Sequence, residues 1–326
     1  MDVYRRRLLA GLGAALGAPL HALAQPAGLP RIGFLGLVTP AALAGPIEAL
    51  RAGLRELGYV EGKTIHIEYR WAEGRYEKLP ALAADLVKQK VALILTQGTD
   101  GTRAAKLATT TIPLVMIGVS DPTVTGLVDS IARPSGNITG LIYLTEEVNV
   151  KRLEFLHQAL PRSPKFAALV NPNNTSHPPI LRAMEASARQ LGVGLQTFEA
   201  RQRADFDPAF KAMAAARAGG VLVVDDAFFN GTMALLAAQA AGARLPMIGV
   251  LEGIGHGAVM AYGVNRLGMF RRGAIYVDRL LKGAKVSELP IERVATYDLV
   301  IDKAAAARLG IALPQTLLLR ADRVIE

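Results

Sequence analysis

The sequence predicts an α/β fold of two doubly wound lobes joined by hinge strands. Three observations predict it. Apolar runs of strand length alternate with helical repeats from Pro30 onward. The same alternation restarts after Asn137. The chain of 326 residues is also too long for one compact core of ordinary size and fits two domains. Strands alternating with helices imply βαβ units and a mainly parallel sheet.

The first half reads as follows. Ile32 to Val38 is a buried strand, and Ile47, Leu50, Leu54 and Leu57 recur at helical spacing before Gly58, a residue suited to end a helix. Thr64 to Tyr69 alternates apolar and polar residues, as a strand does. Leu79, Leu82, Leu86 and Val87 mark a helix. Val91 to Thr96 is a strand, Thr102 to Ala108 a short helix and Pro113 to Gly118 a strand.

Ser135-Gly136-Asn137 then leads into Ile138-Thr139-Gly140, a natural crossover. Leu153, Leu156 and Leu160 share a helix face. Strands are predicted at Phe166 to Val170, Gly194 to Phe198, Val221 to Val224, Pro246 to Val250 and Val259 to Tyr262. Helices fall between them, at Pro179 to Leu191, around Phe206 and Phe210, and at Phe228 to Ala241. A long helix runs from Asn265 to Leu281, with Leu267, Phe270, Ala274, Val277 and Leu281 as its apolar stripe. A last strand lies near Tyr297 to Ile301. The cleft between two such lobes is the expected ligand site.

Residues 1 to 24 read as a cleavable export signal. Arg5 to Arg7 form a positive region, Leu8 to Leu20 an apolar run, and Ala22-Leu23-Ala24 a cleavage site ahead of Gln25. The run is shorter than the ~20 residues that span a bilayer. It could serve the twin-arginine route, although no Ser or Thr precedes the arginines. No later apolar stretch reaches spanning length, so no membrane insertion is expected. The absence of cysteine excludes a disulfide framework, thiol catalysis and a lipid-anchored cysteine. Unanchored export suggests a periplasmic location. The net charge of +9 falls to +7 without the three Arg and one Asp of residues 1 to 24. The remaining basic residues are scattered, whereas nucleic-acid binding predicts a concentrated stripe.

Tests for catalytic or cofactor motifs fail. Gly33-Phe34-Leu35-Gly36 lacks the third glycine of a dinucleotide fingerprint, and there is no phosphate-binding G-x-x-x-x-G-K-[ST]. His66, His157, His177 and His256 form no metal-binding unit, and no G-x-S-x-G elbow occurs. Neither a metal nor a cofactor is expected. Polar clusters instead follow the strands: Gly98-Thr99-Asp100, Ser120-Asp121-Pro122, Asn171 to Thr175, Asp225-Asp226 and Tyr262-Gly263. Hydroxyls and backbone N–H groups at helix starts suit an anionic group such as a carboxylate. Phe34, Tyr143, Phe228, Phe229 and Tyr262 are candidates for an apolar wall.

Leu54-Arg55-Glu56-Leu57-Gly58-Tyr59-Val60-Glu61-Gly62, followed by Ile67-Glu68-Tyr69-Arg70, resembles the start of a large family of ABC transporter substrate-binding proteins. That family includes receptors associated with tryptophan and tyrosine transport. The resemblance continues through Trp71-Ala72-Glu73-Gly74, Asp121-Pro122, Gly126-Leu127-Val128, Gly136 to Gly140 and Leu317 to Asp322. It implies a type I periplasmic-binding fold with two Rossmann-like lobes and crossings near Thr139, Tyr262 and Ile291. The lobes would be 30–138 plus 263–290 and 139–262 plus 291–320. It also implies capture of a small solute, often an amino acid, by a monomer that delivers it to a membrane permease. Thr99, Asp100, Ser120, Asp121, Asn173, Asn174, Asp226 and Tyr262 are the expected ligand contacts. This chain reads Thr99-Asp100 where many relatives have a small residue after Thr, and Ser120-Asp121 where many have Gly-Asp. Two other functions share parts of this reading: a module presenting ligand to a sensory receptor, and an exported Rossmann-type enzyme, for which the motifs are lacking.

Overall fold

The computed structural model describes residues 28–326; the proposed export signal lies outside them. The first sheet has six strands, built from β1 (Arg31–Gly36), β2 (His66–Trp71), β3 (Ile94–Gln97), β4 (Leu114–Val119), β5 (Ile138–Ile142) and, much later, β11 (Glu292–Arg293). The helices α1 (Ala44–Glu56), α2 (Leu79–Lys88) and α3 (Gly98–Ala108) connect its early strands. The second sheet has seven strands: β6 (Lys165–Val170), β7 (Gly194–Glu199), β8 (Val221–Val223), β9 (Met247–Gly249), β10 (Met260–Gly263), β12 (Asp298–Asp302) and β13 (Arg323–Ile325). Its connections are α4 (Thr145–Ala159), α5 (His177–Leu191), α6 (Phe206–Ala215), α7 (Ala227–Gly231) and α8 (Met233–Gly242). The long α9 (Arg266–Leu281) follows β10, and α10 (Lys303–Arg308) and α11 (Gln315–Leu318) close the chain.

The two sheets repeat one plan. The first orders its strands β2-β1-β3-β4-β5-β11 and the second β7-β6-β8-β9-β10-β12-β13. All pairings are parallel except that of β10 with β12. In each sheet the chain reverses its direction of winding beside the first strand. That switch point opens a crevice at the carboxyl ends of β1 and β3, and of β6 and β8, where such sheets bind ligands.

Three crossings join the lobes. Strand β5 completes part of the first sheet before the chain enters the second lobe through α4. After β10 the chain returns, because α9 packs on α1 and β4. After β11 it crosses again to β12. The expected boundaries shift accordingly. The first crossing follows Ile142 rather than residue 138, because β5 pairs with β4 along its whole length. The third follows Arg293 rather than residue 290, because β11 pairs with β5. The second lobe also runs past residue 320, since β13 pairs with β12. Within β5, Gly140 adopts φ +131°, and a Cβ there would lie 2.1 Å from the Met116 carbonyl oxygen. Only glycine lets these two backbones approach so closely.

The apolar core shows where the lobes meet. One buried cluster contains Leu37, Ala72 and Leu79 of the first lobe together with Phe206, Phe228 and Met233 of the second. The lobes are therefore in contact, and the molecule is closed over its cleft. The predicted helix from Phe228 is two helices, α7 and α8, broken at Thr232, whose hydroxyl donates to the Phe228 carbonyl (3.0 Å). Leu267 of the predicted α9 stripe is exposed, since it lies in the first turn, beyond the buried face formed by Phe270, Ala274 and Val277.

Candidate functional site

The two switch points face one another across a cleft. Its empty space is about 630 Å³, part of it open to solvent. Leu37 reaches it from the end of β1, and Gln97, Gly98, Thr99 and Asp100 from the end of β3. Gly98 sits at φ +72°, which turns β3 directly into α3. From the second lobe come Asn174 and Ser176, between β6 and α5, and Asp225 and Asp226, after β8. Helices α3, α4, α5 and α9 all begin at this cleft, through Gly98, Thr145, Ser176 and Arg266. Their free N–H groups and partial positive ends favour an anion there.

Two carboxylates tie the lobes together. Asp226 caps α7 by accepting from the Phe229 N–H (2.9 Å). Its other oxygen accepts from Asn174 Nδ2 (2.8 Å) and, across the cleft, from the Tyr76 hydroxyl. Burial and the neighbouring Asp226 carboxylate push the Tyr76 phenol well above its ordinary pKa, so it stays a donor. Asp100 of the first lobe accepts from the Thr175 hydroxyl (2.7 Å) of the second. Burial raises the Asp100 pKa, against the hydrogen bonds from Thr175. Arg266 reaches across to Glu252 (2.8 Å) and is mostly covered. On the first-lobe side Ser120 accepts from the Thr145 hydroxyl (2.8 Å).

Beneath the cleft lies a buried ion pair. Arg152 of α4 donates to Asp225 (2.5 Å), and both side chains are almost wholly excluded from solvent. The guanidinium also donates to the Tyr262 carbonyl (2.8 Å). Asp225 accepts from the Tyr143 hydroxyl (3.0 Å) and from Asn149 (3.3 Å). Burial, then the Asp225 charge, keeps Tyr143 protonated well above its ordinary range. The pair thus touches the first crossing through Tyr143 and the second through Tyr262.

Of the expected contacts, Thr99, Asp100, Ser120, Asn174 and Asp226 line the cleft. Asp121, Asn173 and Tyr262 do not. Asp121 is used within its own loop, accepting from the Thr123 and Val124 N–H groups. Asn173 is exposed and its N–H donates to Asn171 Oδ1 (3.0 Å). Tyr262 on β10 packs edge-to-face with Phe155 (5.1 Å) and tilted against Tyr297 (5.7 Å), two strands away from the β6/β8 switch point. Among the aromatic candidates only Tyr143 lines the cleft. Phe34 packs with Tyr69 and Trp71, and Phe228 and Phe229 pack on Phe206.

Tyr76, Thr145, Ser176, Asn230, Arg266 and Phe270 line the cleft without having been expected there. Tyr76 lies in a short turn after β2 and carries no strand-end signal. Ser176 does carry one, as a serine directly before the His177-Pro178 helix start.

His177 supplies a pH handle. Its Nδ1 accepts from the Asn171 N–H (3.2 Å) and its Nε2 N–H donates to the Asp225 carbonyl (3.1 Å). The bond accepted by Nδ1 requires the neutral ring, because both nitrogens of a protonated ring are donors. Burial lowers its pKa from 6.5, outweighing the nearby Asp226 and Asp225 charges. The unfolded chain then binds the proton first, so this contribution is complete above pH ~6.5 and is lost as pH falls below it. Urea unfolding of the native protein is expected to weaken from pH 7 to lower pH more steeply than that of the non-titrating His177→Gln variant. Parallel curves would contradict this assignment; Asp100 titrates in both proteins and cancels.

Fold and cleft define a two-lobed periplasmic-type binding protein, and the comparisons agree. The family described as "ABC transporter substrate binding protein" matches residues 31–325, and this chain belongs to it. A "Tyrosine-binding protein" of Clostridioides difficile (strain R20291) is 24% identical over 276 residues, covering 83% of this chain and 78% of the relative. A crystal structure of a conserved domain protein from Vibrio cholerae superposes with a TM-score of 0.83 at 26% identity, covering 90% of this chain and 99% of that one. A Streptococcus ABC domain in complex with L-Trp superposes at 0.81 with 22% identity, covering 90% and 100%. The family is one of substrate-binding proteins rather than enzymes. Among the described residues no helix is long and apolar enough to cross a membrane.

Proposed function

We propose that this chain is the periplasmic receptor of an ABC-type importer, capturing an amino acid or related small carboxylate between its lobes. The observation that carries the reading is the composition of the closed cleft. Four helix starts and the hydroxyls of Thr99 and Ser120, the latter accepting from Thr145, offer donors to a carboxylate, while Asp100 and Asp226 offer acceptors to an ammonium. A dipolar ligand complements both. The name of the Clostridioides relative and the tryptophan bound to the Streptococcus structure support the same ligand class.

The cleft is complete within one chain, which supports a monomeric receptor. Ligand shifts the lobes toward the closed form through contacts available only there. The permease then reads the closed form. Micromolar affinity requires about 8 kcal/mol net, which a few charge-assisted hydrogen bonds and the apolar Leu37, Met269 and Phe270 surfaces can supply. A thermal-shift screen of the mature protein with L-amino acids and small carboxylates tests this. At least one is expected to raise the unfolding temperature in a concentration-dependent way. Folded protein with no response across the set would overturn the reading.

A further inference from the structure

We infer that Asn230 and Ser176 contact the ligand, and that Asn230 makes the second-lobe wall selective for a ligand carrying a hydrogen-bond donor group. In the amino-acid reading, on which this inference rests, that group is the ammonium.

Both residues line the cleft, with exposures of 9% and 2%. Among the described residues, Asn230 Oδ1 and Ser176 Oγ are buried polar atoms without a hydrogen-bond partner. Leaving such an atom unsatisfied costs about 1–3 kcal/mol, and of the seven such atoms among the described residues these are the two whose residues line the cleft. Ser176 stands at the N-cap of α5, where a serine hydroxyl ordinarily accepts from the helix's own N–H groups. Here it makes no such bond. The capping oxygen has been left free at the wall of the cleft.

The Asn230 orientation is favoured by its contact with Asp225. Its Nδ2 donates to Asp225 Oδ1 (3.5 Å). Turning the amide over would set its carbonyl oxygen against the carboxylate, an acceptor facing an acceptor. Asp225 cannot move to accommodate this, since Arg152, Tyr143 and Asn149 also hold it. The buried ion pair therefore acts as a positioning device that keeps Oδ1 as the unpartnered end of the amide. An amide oxygen accepts and never donates. The neighbouring Asp226 carboxylate is an acceptor as well, as is Asp100 on the opposite lobe. A ligand carboxylate placed against Asn230 Oδ1 and these carboxylates would meet like polarity, whereas an N–H group would satisfy them; the Ser176 hydroxyl and the start of α5 can still donate to a carboxylate beside them.

The test is calorimetric titration of the mature protein with three compound sets: L-amino acids, the des-amino acids bearing the same side chains, and the primary amines lacking the carboxylate. The best amino acid is expected to lose about 100-fold in affinity on deamination, since a site built to hydrogen-bond a group rejects the analogue that lacks it. Asn230→Leu, similar in volume but without the acceptor, should lose about 10- to 100-fold for the amino acid and under about 3-fold for its des-amino analogue. Ser176→Ala, a smaller change that keeps the fold if the first variant does not, should lose about 3- to 10-fold. Equal binding of amino and des-amino compounds overturns the inference, as does unchanged affinity in the variants. If primary amines bind in an Asn230-dependent way and amino acids do not, the inference stands and the carboxylate part of the proposed function falls. If nothing in the three sets binds, both fall.

Discussion

Replacing Arg152 by methionine is expected to cost about 3–5 kcal/mol of stability, the loss seen when one member of a buried ion pair is removed. The Asp225 carboxylate would remain buried, with only Tyr143, Asn149 and the weaker Asn230 contact to hold it. The Tyr262 carbonyl would lose its guanidinium donor too. Urea unfolding followed by circular dichroism measures the effect. The double variant Arg152→Met with Asp225→Asn should recover part of the loss, because it removes the charge that the single variant strands. A single variant within ~1 kcal/mol of the native protein would show that water or a neighbour already compensates Asp225.

Asp226→Ala should weaken ligand binding about 100-fold. Charge-assisted hydrogen bonds contribute about 1.5–3 kcal/mol each, and Asp226 accepts from Tyr76 of the opposite lobe and from Asn174 of its own. A loss near 2.7 kcal/mol corresponds to that factor. The variant also loses the cap of α7. Tyr76→Phe isolates the cross-lobe bond and should reproduce about a tenfold part of the effect. Small-angle scattering with a responding amino acid would show both variants more open than the native protein at the same ligand concentration. Native-like affinity in Asp226→Ala would mean that ligand is held without this latch.

How far the sequence carried the structure depended on how local each signal was. The βα rhythm is local, and it placed both sheets and most of their strands. Lobe membership is not local. Ile138 to Ile142 has the same apolar character as a strand of either lobe, and only its pairing with β4 assigns it to the first. Glu292 and Arg293 form a two-residue polar strand without any period to read. The site divided in the same way. Thr99, Asn174 and Asp226 follow strands at the switch points, so position alone marked them. Asp121 and Asn173 lie in equivalent loops, but Asp121 spends its carboxylate on that loop and Asn173 is exposed outside the cleft. Tyr76, Asn230 and Arg266 enter the cleft from a turn and two helices, and a linear pattern of strand ends does not reach them. The free hydroxyl of Ser176 could be recognised only once its expected capping bond was seen to be missing.

The three crossings bear on how the molecule is made. Synthesis proceeds from the N-terminus, and domains generally fold as units as they emerge. Here the first sheet waits for β11, which lies at residues 292–293 of 326. Its helix α9 likewise arrives only after nearly all of the second lobe. Neither lobe is a contiguous stretch that can finish alone, and contacts of such long sequence separation slow folding. The emerging polypeptide is therefore kept from completing its first lobe until translation is nearly over. For the periplasmic receptor proposed above, that delay would keep the chain pliable until most of it had been handed to an export channel.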